Sequence, residues 1–218
     1  MIFGIILSTT FLFLLIQYSE KIPDEKGNLY EIRKNEIIQV LILDIMFVAM
    51  AVLGREDGLI SNPFVFFIIP LLCIQVFIDL KYMELADEWS WVLATLGICS
   101  LVYTNINKLF EIEGLNILLN VSLTVFVLFL SFFLLWLAVG GVGFGDVKLM
   151  IGIGWYLSFG VIFNYLYLSI LIGSVFGAAS IGLSYLFLRD RKKERGSNEF
   201  PFGPPLILSL MILTTINL

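Results

Sequence analysis

The chain has 218 residues, 59% of them hydrophobic, and a formal net charge of -5. A soluble domain of this composition would expose too much apolar surface, so we expect an integral membrane protein. Histidine is absent and the two cysteines, Cys73 and Cys99, stand singly. This excludes histidine-dependent triads and argues against zinc sites and disulfide frameworks. The negative charge and the lack of an extended basic surface argue against nucleic acid as a partner.

Long uncharged stretches predict the transmembrane helices, since a span needs roughly 20 apolar residues to cross about 30 Å of hydrocarbon. Five spans are predicted directly, at 1–19, 37–53, 63–80, 89–106 and 115–139. The first has no basic residue before it and no small-residue cleavage site after it. We therefore interpret it as a retained helix and not as a signal peptide.

The remaining apolar sequence predicts three more helices. The stretch 149–188 would measure about 60 Å as one helix, twice the hydrocarbon thickness, so it predicts two helices with a turn near Gly160 and Asn164. The segment 206–218 follows a proline-rich stretch and predicts an eighth helix. The expected fold class is all-α: a polytopic membrane helical bundle of about eight transmembrane helices, in a single domain covering 1–218.

The distribution of lysine and arginine predicts which loops share a side, because cytoplasmic loops are enriched in basic residues. The odd-numbered loops, of which the first is the short loop 20–36, carry eleven of the 13 basic residues. These eleven are Lys21, Lys26, Arg33, Lys34, Lys81, Lys148, Arg189, Arg191, Lys192, Lys193 and Arg195. Both chain ends are then expected outside, with Asp79 and Asp146 together at the cytoplasmic face of the plasma membrane.

Asp79 and Asp146 are the candidate catalytic residues. Each stands at the end of an apolar run, where an ionised carboxyl is costly unless it faces a wet cavity or a partner. Gly143 and Gly145 precede Asp146, so the backbone can bend or approach another helix closely just before a new helix begins. Two carboxyls within a few ångströms of each other share one proton and can activate water, which is the chemistry of aspartic proteases.

Three segments resemble the type IV prepilin peptidase family. They are "FIDLKYMELADEW", "GFGDVKLMIGIGWYLS" and "FPFGPPLIL", and the resemblance extends over about 62–218. It implies that Asp79 and Asp146 form a catalytic pair that removes the leader from a pilin-like precursor. Gly143, Gly145 and Lys148 would support the motif, and no metal or cofactor is implied. The implied partners are pilin-like precursor proteins and the lipid bilayer.

The chain departs from that family in two places. Members usually have a proline shortly before the acid that matches Asp87, where this chain has Ala86. Many relatives also carry a long first cytoplasmic loop with two C-x-x-C pairs, linked to N-methylation of the new pilin terminus. The loop 20–36 has no cysteine. We therefore expect a peptidase without methyltransferase activity.

Alternatives of another class stay open at this point. A small ion-coupled transporter would also carry intramembrane carboxylates, and a non-catalytic assembly protein could pair its aspartates with Lys81 and Lys148. Asp44, deep in the second span, is interpreted as a buried hydrogen-bonded group, with a proton relay or a third site residue as the alternative. The basic run 189–195 is interpreted as a cytoplasmic anchor, with docking of substrate or anionic lipid as the alternative.

Overall fold

The computed structural model describes residues 2–21, 30, 32–53, 64–108, 111–139, 143–187 and 201–216. All regular structure in these residues is helical, which confirms the all-α prediction. The helices are α1 (Ile2–Ser19), α2 (Lys34–Leu53), α3 (Val65–Tyr82), α4 (Asp87–Asn105), α5 (Ile112–Val139), α6 (Phe144–Gly154), α7 (Ile162–Phe187) and α8 (Gly203–Ile216). A single 3-10 turn, Phe159–Val161, precedes α7.

The number of described helices matches the prediction, but the number of transmembrane spans is not confirmed. Two described segments, Ile112–Ala138 and Phe159–Ala179, are apolar over a length sufficient to cross a bilayer, while Ile6–Ser19 and Gly203–Leu213 are apolar but shorter. Large apolar side chains on α5 and α7 are exposed. An apolar surface of this extent fits contact with lipid.

The stretch 149–188 does divide into two helices, but not as predicted. Gly160 lies in the connection between α6 and α7, as expected, whereas Asn164 lies inside α7 and its assignment to the turn is wrong. α6 has only 11 residues, about 16 Å of helix, and cannot cross a bilayer alone. The connection between α6 and α7 is held against α5, because the Phe159 N–H donates to Asn120 Oδ1 (2.8 Å).

The helices pack as two groups. α6 lies mainly against α4 and α5, whereas α8 lies against α7, α3 and α2, and α1 packs on α2 and α3. Polar and aromatic contacts join the groups: Gln75 Nε2 on α3 donates to Ser90 Oγ on α4 (3.3 Å), and the rings of Phe132 on α5 and Phe202 before α8 lie 6.3 Å apart. Asp79 belongs to one group and Asp146 to the other.

Glycines let α6 approach its neighbours closely. A Cβ added at Gly152 would lie 2.9 Å from Leu93 Cδ2 on α4, and one added at Gly154 would lie 2.9 Å from Val125 Cα on α5. Non-bonded carbon atoms do not approach this closely. A side chain at Gly154 would therefore push α5 and α6 apart, whereas one at Gly152 would displace the Leu93 side chain. The depth at which α6 sits in its group therefore depends on these two residues.

Gly154→Ala is expected to destabilise the protein by about 1–3 kcal/mol, because the neighbouring atom is backbone and cannot rotate away. Thermal unfolding in detergent is the measurement. Gly177→Ala on α7 is the matched control, since nothing lies within 4 Å of its added Cβ, and it should be neutral or stabilise by up to about 1 kcal/mol. Equal melting temperatures for the two variants would contradict the close α5–α6 contact.

Candidate active site

Asp79 lies in the last turn of α3 and is 4% exposed. The helix ends three residues later, at Tyr82. Met83 then adopts a left-handed conformation (φ 58), and its N–H donates to the Asp79 carbonyl oxygen (2.9 Å). A left-handed residue with a side chain costs about 1–2 kcal/mol. The chain accepts that strain one turn beyond the carboxyl, where α3 must stop and turn toward α4.

The first residue of α8 binds Asp79. The Gly203 N–H donates to Asp79 Oδ2 (2.8 Å), and the positive end of the α8 dipole favours a carboxylate at that position. Pro204 and Pro205 follow and have no N–H, so Gly203 supplies the free donor of this first turn. A Cβ at Gly203 would lie 2.6 Å from the same carboxyl oxygen, so glycine is required here.

Asp146 lies in the first turn of α6 and is 6% exposed. Its Oδ2 accepts the N–H of Gly143 (3.1 Å), and its own N–H donates to the Gly143 carbonyl (3.1 Å). This reciprocal arrangement caps the helix and fixes the orientation of the carboxyl. Of the two motif glycines, Gly145 is the one needed for space, since its added Cβ would lie 2.9 Å from Leu85 Cβ.

The two carboxyls converge on the α3–α4 connection. Leu85 contacts Gly145 beside Asp146, and Leu85 Cδ2 also lies 3.3 Å from the position of a Cβ on Gly203, which binds Asp79. Leu85 therefore borders the surroundings of both carboxyls. Within the described part of the chain, Oδ1 of each carboxyl accepts no hydrogen bond. The arrangement therefore offers two oxygens for proton transfer.

The lysines that follow the aspartates in sequence pair with other acids. Lys81 Nζ lies 2.7 Å from Glu36 Oε2 at the start of α2, and Lys148 forms an ion pair with Asp87 at the start of α4. Lys148 also lies over the Phe144 ring, 5.0 Å from its centroid. The two ion pairs flank the aspartates, and neither neutralises them.

Glu36 carries the charge that holds Lys81 beside the site. Burial alone would raise its pKa, but the hydrogen bonds from Lys81 and from the Arg33 N–H (2.7 Å) outweigh burial and hold the pKa below 4.5. Glu36 is thus ionised at neutral pH.

Together these contacts bring the starts of α2, α4, α6 and α8 to the end of α3, at one end of the bundle.

Asp44 lies elsewhere. Its side chain is fully buried on α2, and Oδ1 accepts the hydroxyl of Ser8 on α1 (2.8 Å). Within the described residues Oδ2 has no partner. Asp44 stands eight residues beyond Glu36, about 12 Å deeper along α2, so the structure does not bring it to the pair. The basic run 189–195 lies outside the described residues.

Four residues of the site were not singled out from the sequence: Leu85, Asp87, Glu36 and Gly203. Asp87 had a signal, since acidic residues favour the first turn of a helix. Gly203 had one too, because the segment "FPFGPP" opens a helix with a glycine before two prolines. Nothing in the sequence indicated which carboxyl that glycine would bind.

The comparisons with known proteins identify a family. The sequence model of the type IV leader peptidase family matches residues 65–181. The match contains both Asp79 and Asp146, whereas α8 with Gly203 lies beyond it. No curated protein and no solved structure matches the chain.

The Glu36–Lys81 pair is expected to stabilise the protein only while Glu36 is ionised. Because the pKa of Glu36 is lowered by folding, this stabilisation is full above pH 4.5 and is lost as the pH falls through the lowered pKa. A double-mutant cycle of Glu36→Gln and Lys81→Met, followed by thermal unfolding, should give coupling at pH 7 and weaker coupling at pH 3. A cycle on the exposed pair Lys108–Glu113 is the control and should give little coupling at either pH. Coupling at pH 3 equal to that at pH 7 would refute the assignment.

Proposed function

Because the chain belongs to the type IV leader peptidase family, we propose that it is an aspartyl endopeptidase with Asp79 and Asp146 as its catalytic pair. Family membership itself implies a peptidase. The observation that carries the assignment is the convergence of two buried carboxyls from different helices, each held at Oδ2 by a glycine N–H. Two such groups titrate as a pair that keeps one proton.

The proposed reaction needs only that proton and one water molecule. The ionised carboxyl takes a proton from water as the water oxygen bonds to the scissile carbonyl carbon, and the protonated carboxyl gives its proton to the carbonyl oxygen. In the second step the peptide nitrogen receives the first proton and the C–N bond breaks. The carbonyl re-forms as its hydroxyl proton returns to the second carboxyl, which restores the pair.

We propose pilin-like precursors as substrates and the cytoplasmic face of the plasma membrane as the place of cleavage. Both come from the family resemblance, and they are supported by the distribution of basic residues, which predicts a cytoplasmic position for the end of α3 and the start of α6. The bundle is proposed to be multi-pass, with the exposed apolar surfaces of α5 and α7 in contact with lipid. The proposal covers hydrolysis alone and not methyl transfer.

The geometry disfavours the assembly-protein alternative. In that alternative the aspartates would pair with Lys81 and Lys148, but those lysines pair with Glu36 and Asp87. Family membership disfavours the ion-coupled transporter. A cleavage assay on purified protein separates the three functions, because only the peptidase releases a leader.

Asp79→Asn and Asp146→Asn are each expected to abolish cleavage, since asparagine keeps the shape but cannot exchange the proton. The loss should exceed the roughly hundredfold effect of a single proton-transfer partner. Asp44→Asn is the matched control and should retain most of the activity, because Asp44 lies deep in α2 and binds Ser8. The measurement is processing of a leader-bearing pilin-like precursor in detergent at equal enzyme concentration. Cleavage near the parent rate by either Asp79→Asn or Asp146→Asn would sink the assignment.

Gly203→Ala is expected to lower kcat about a hundredfold, because the new methyl group would displace the Asp79 carboxyl from the pair. Gly160→Ala is its control, since its Cβ meets nothing within 4 Å. The same precursor assay applies. Parent-like kcat in Gly203→Ala would mean that the contact between α8 and Asp79 does not govern the reaction.

A further inference from the structure

Tyr165 is fully buried on α7 at the place where α6, α7 and α8 meet. Its hydroxyl donates to the Leu206 carbonyl oxygen on α8 (3.2 Å) and lies 3.8 Å from Met150 Sδ on α6. The carbonyl is the stronger acceptor, and the thioether packs against the same oxygen. The Tyr165 side chain therefore contacts both α6 and α8, the two helices that begin at the site.

The positions of these two contacts relate directly to the aspartates. Met150 stands one helical turn beyond Asp146 on the same side of α6, because residues four apart lie above one another on a helix. Leu206 stands three residues beyond Gly203, whose N–H binds Asp79. Tyr165 thus connects α6, one turn after Asp146, to the first turn of α8, which binds Asp79.

This link matters because the two aspartates belong to different helix groups. α6 packs on α4 and α5, α8 packs on α7, α3 and α2, and α6 and α8 meet only over a small area. The separation of the carboxyls is then set by the contacts between the groups. Tyr165 makes one of these contacts directly behind the pair.

We propose that Tyr165 is a positioning residue that fixes the separation of Asp79 and Asp146, and thereby how strongly the two carboxyls share a proton. The inference rests on the proposed peptidase function. It adds that the hydroxyl of Tyr165 acts through α6 and α8 and touches neither substrate nor water in the reaction.

The test is Tyr165→Phe, which removes one oxygen and keeps the ring. Loosening α6 from α8 moves the carboxyls apart, so the two steps of their titration come closer together and the bell-shaped pH profile of kcat narrows. We expect kcat to fall between about tenfold and a hundredfold with KM unchanged, because the reacting groups are misplaced while the substrate contacts stay intact.

Tyr156→Phe is the matched control. The Tyr156 hydroxyl donates to the Leu93 carbonyl oxygen on α4 (2.7 Å), so its loss also removes a tyrosine-to-helix hydrogen bond, but inside the α4–α5–α6 group. Both variants should show a similar fall in melting temperature, and only Tyr165→Phe should alter the pH profile. A parent-like profile in Tyr165→Phe, or an equal narrowing in Tyr156→Phe, would overturn the proposal.

A second readout does not depend on cleavage. Infrared titration of the carboxyl bands in the detergent-solubilised protein reports the two protonation steps, which Asp79→Asn and Asp146→Asn assign. Tyr165→Phe should reduce the spacing of those steps. If the parent protein cuts no precursor, the peptidase proposal fails, while an unchanged spacing in Tyr165→Phe refutes the positioning role separately.

Discussion

The hydrogen bond from Gly203 to Asp79 is the constraint on which the site depends. A carboxyl that is almost completely buried needs a donor, and the start of a helix is the part of the backbone that has donors to spare. Pro204 and Pro205 have no N–H, so the Gly203 N–H is the donor that the start of α8 provides. Because Gly203 has no side chain, the Asp79 carboxyl can approach that N–H. The docking of α8 against α3 and α7 follows from the same contact, since Asp79 can be satisfied in this way only if α8 begins at that place.

The geometry of the aspartate pair belongs to an interface and not to one helix group. Each carboxyl is oriented by its own surroundings: Asp146 by the cap at Gly143, and Asp79 by α8. Their mutual distance has no such local determinant. It depends on how the α4–α5–α6 group packs against the other helices, through buried apolar residues as well as aromatic rings and polar side chains. α6 packs closely on α4 and α5 through Gly152 and Gly154, so it cannot easily move within its own group. A movement of one group against the other therefore changes the distance between Asp79 and Asp146 more than a movement within a group does.

The helix positions could be predicted from the sequence, because apolar length is a local property. The placement of charges likewise pointed to Asp79 and Asp146, and their role as a catalytic pair stays a prediction. Predicted and observed ends of α2, α3, α4 and α5 differ by no more than three residues. The shortness of α6 could not be predicted, since residues 155–161 are as apolar as the helices beside them and the break depends on packing against Asn120. The hydrogen bond between Gly203 and Asp79 could not be predicted either, because the two residues lie 124 positions apart in the sequence. The partners of Lys81 and Lys148 could not be predicted either, because Glu36 and Asp87 lie on other helices.

The distance along the chain between Asp79 and Gly203 also bears on how the protein is made. α3 emerges from the ribosome long before α8, and in that interval the Asp79 carboxyl has no Gly203 N–H to bind. The site described here cannot be complete until α8 has been synthesised and has docked. A nascent chain that has not yet reached α8 therefore holds both acids while Asp79 still lacks the hydrogen bond that orients it.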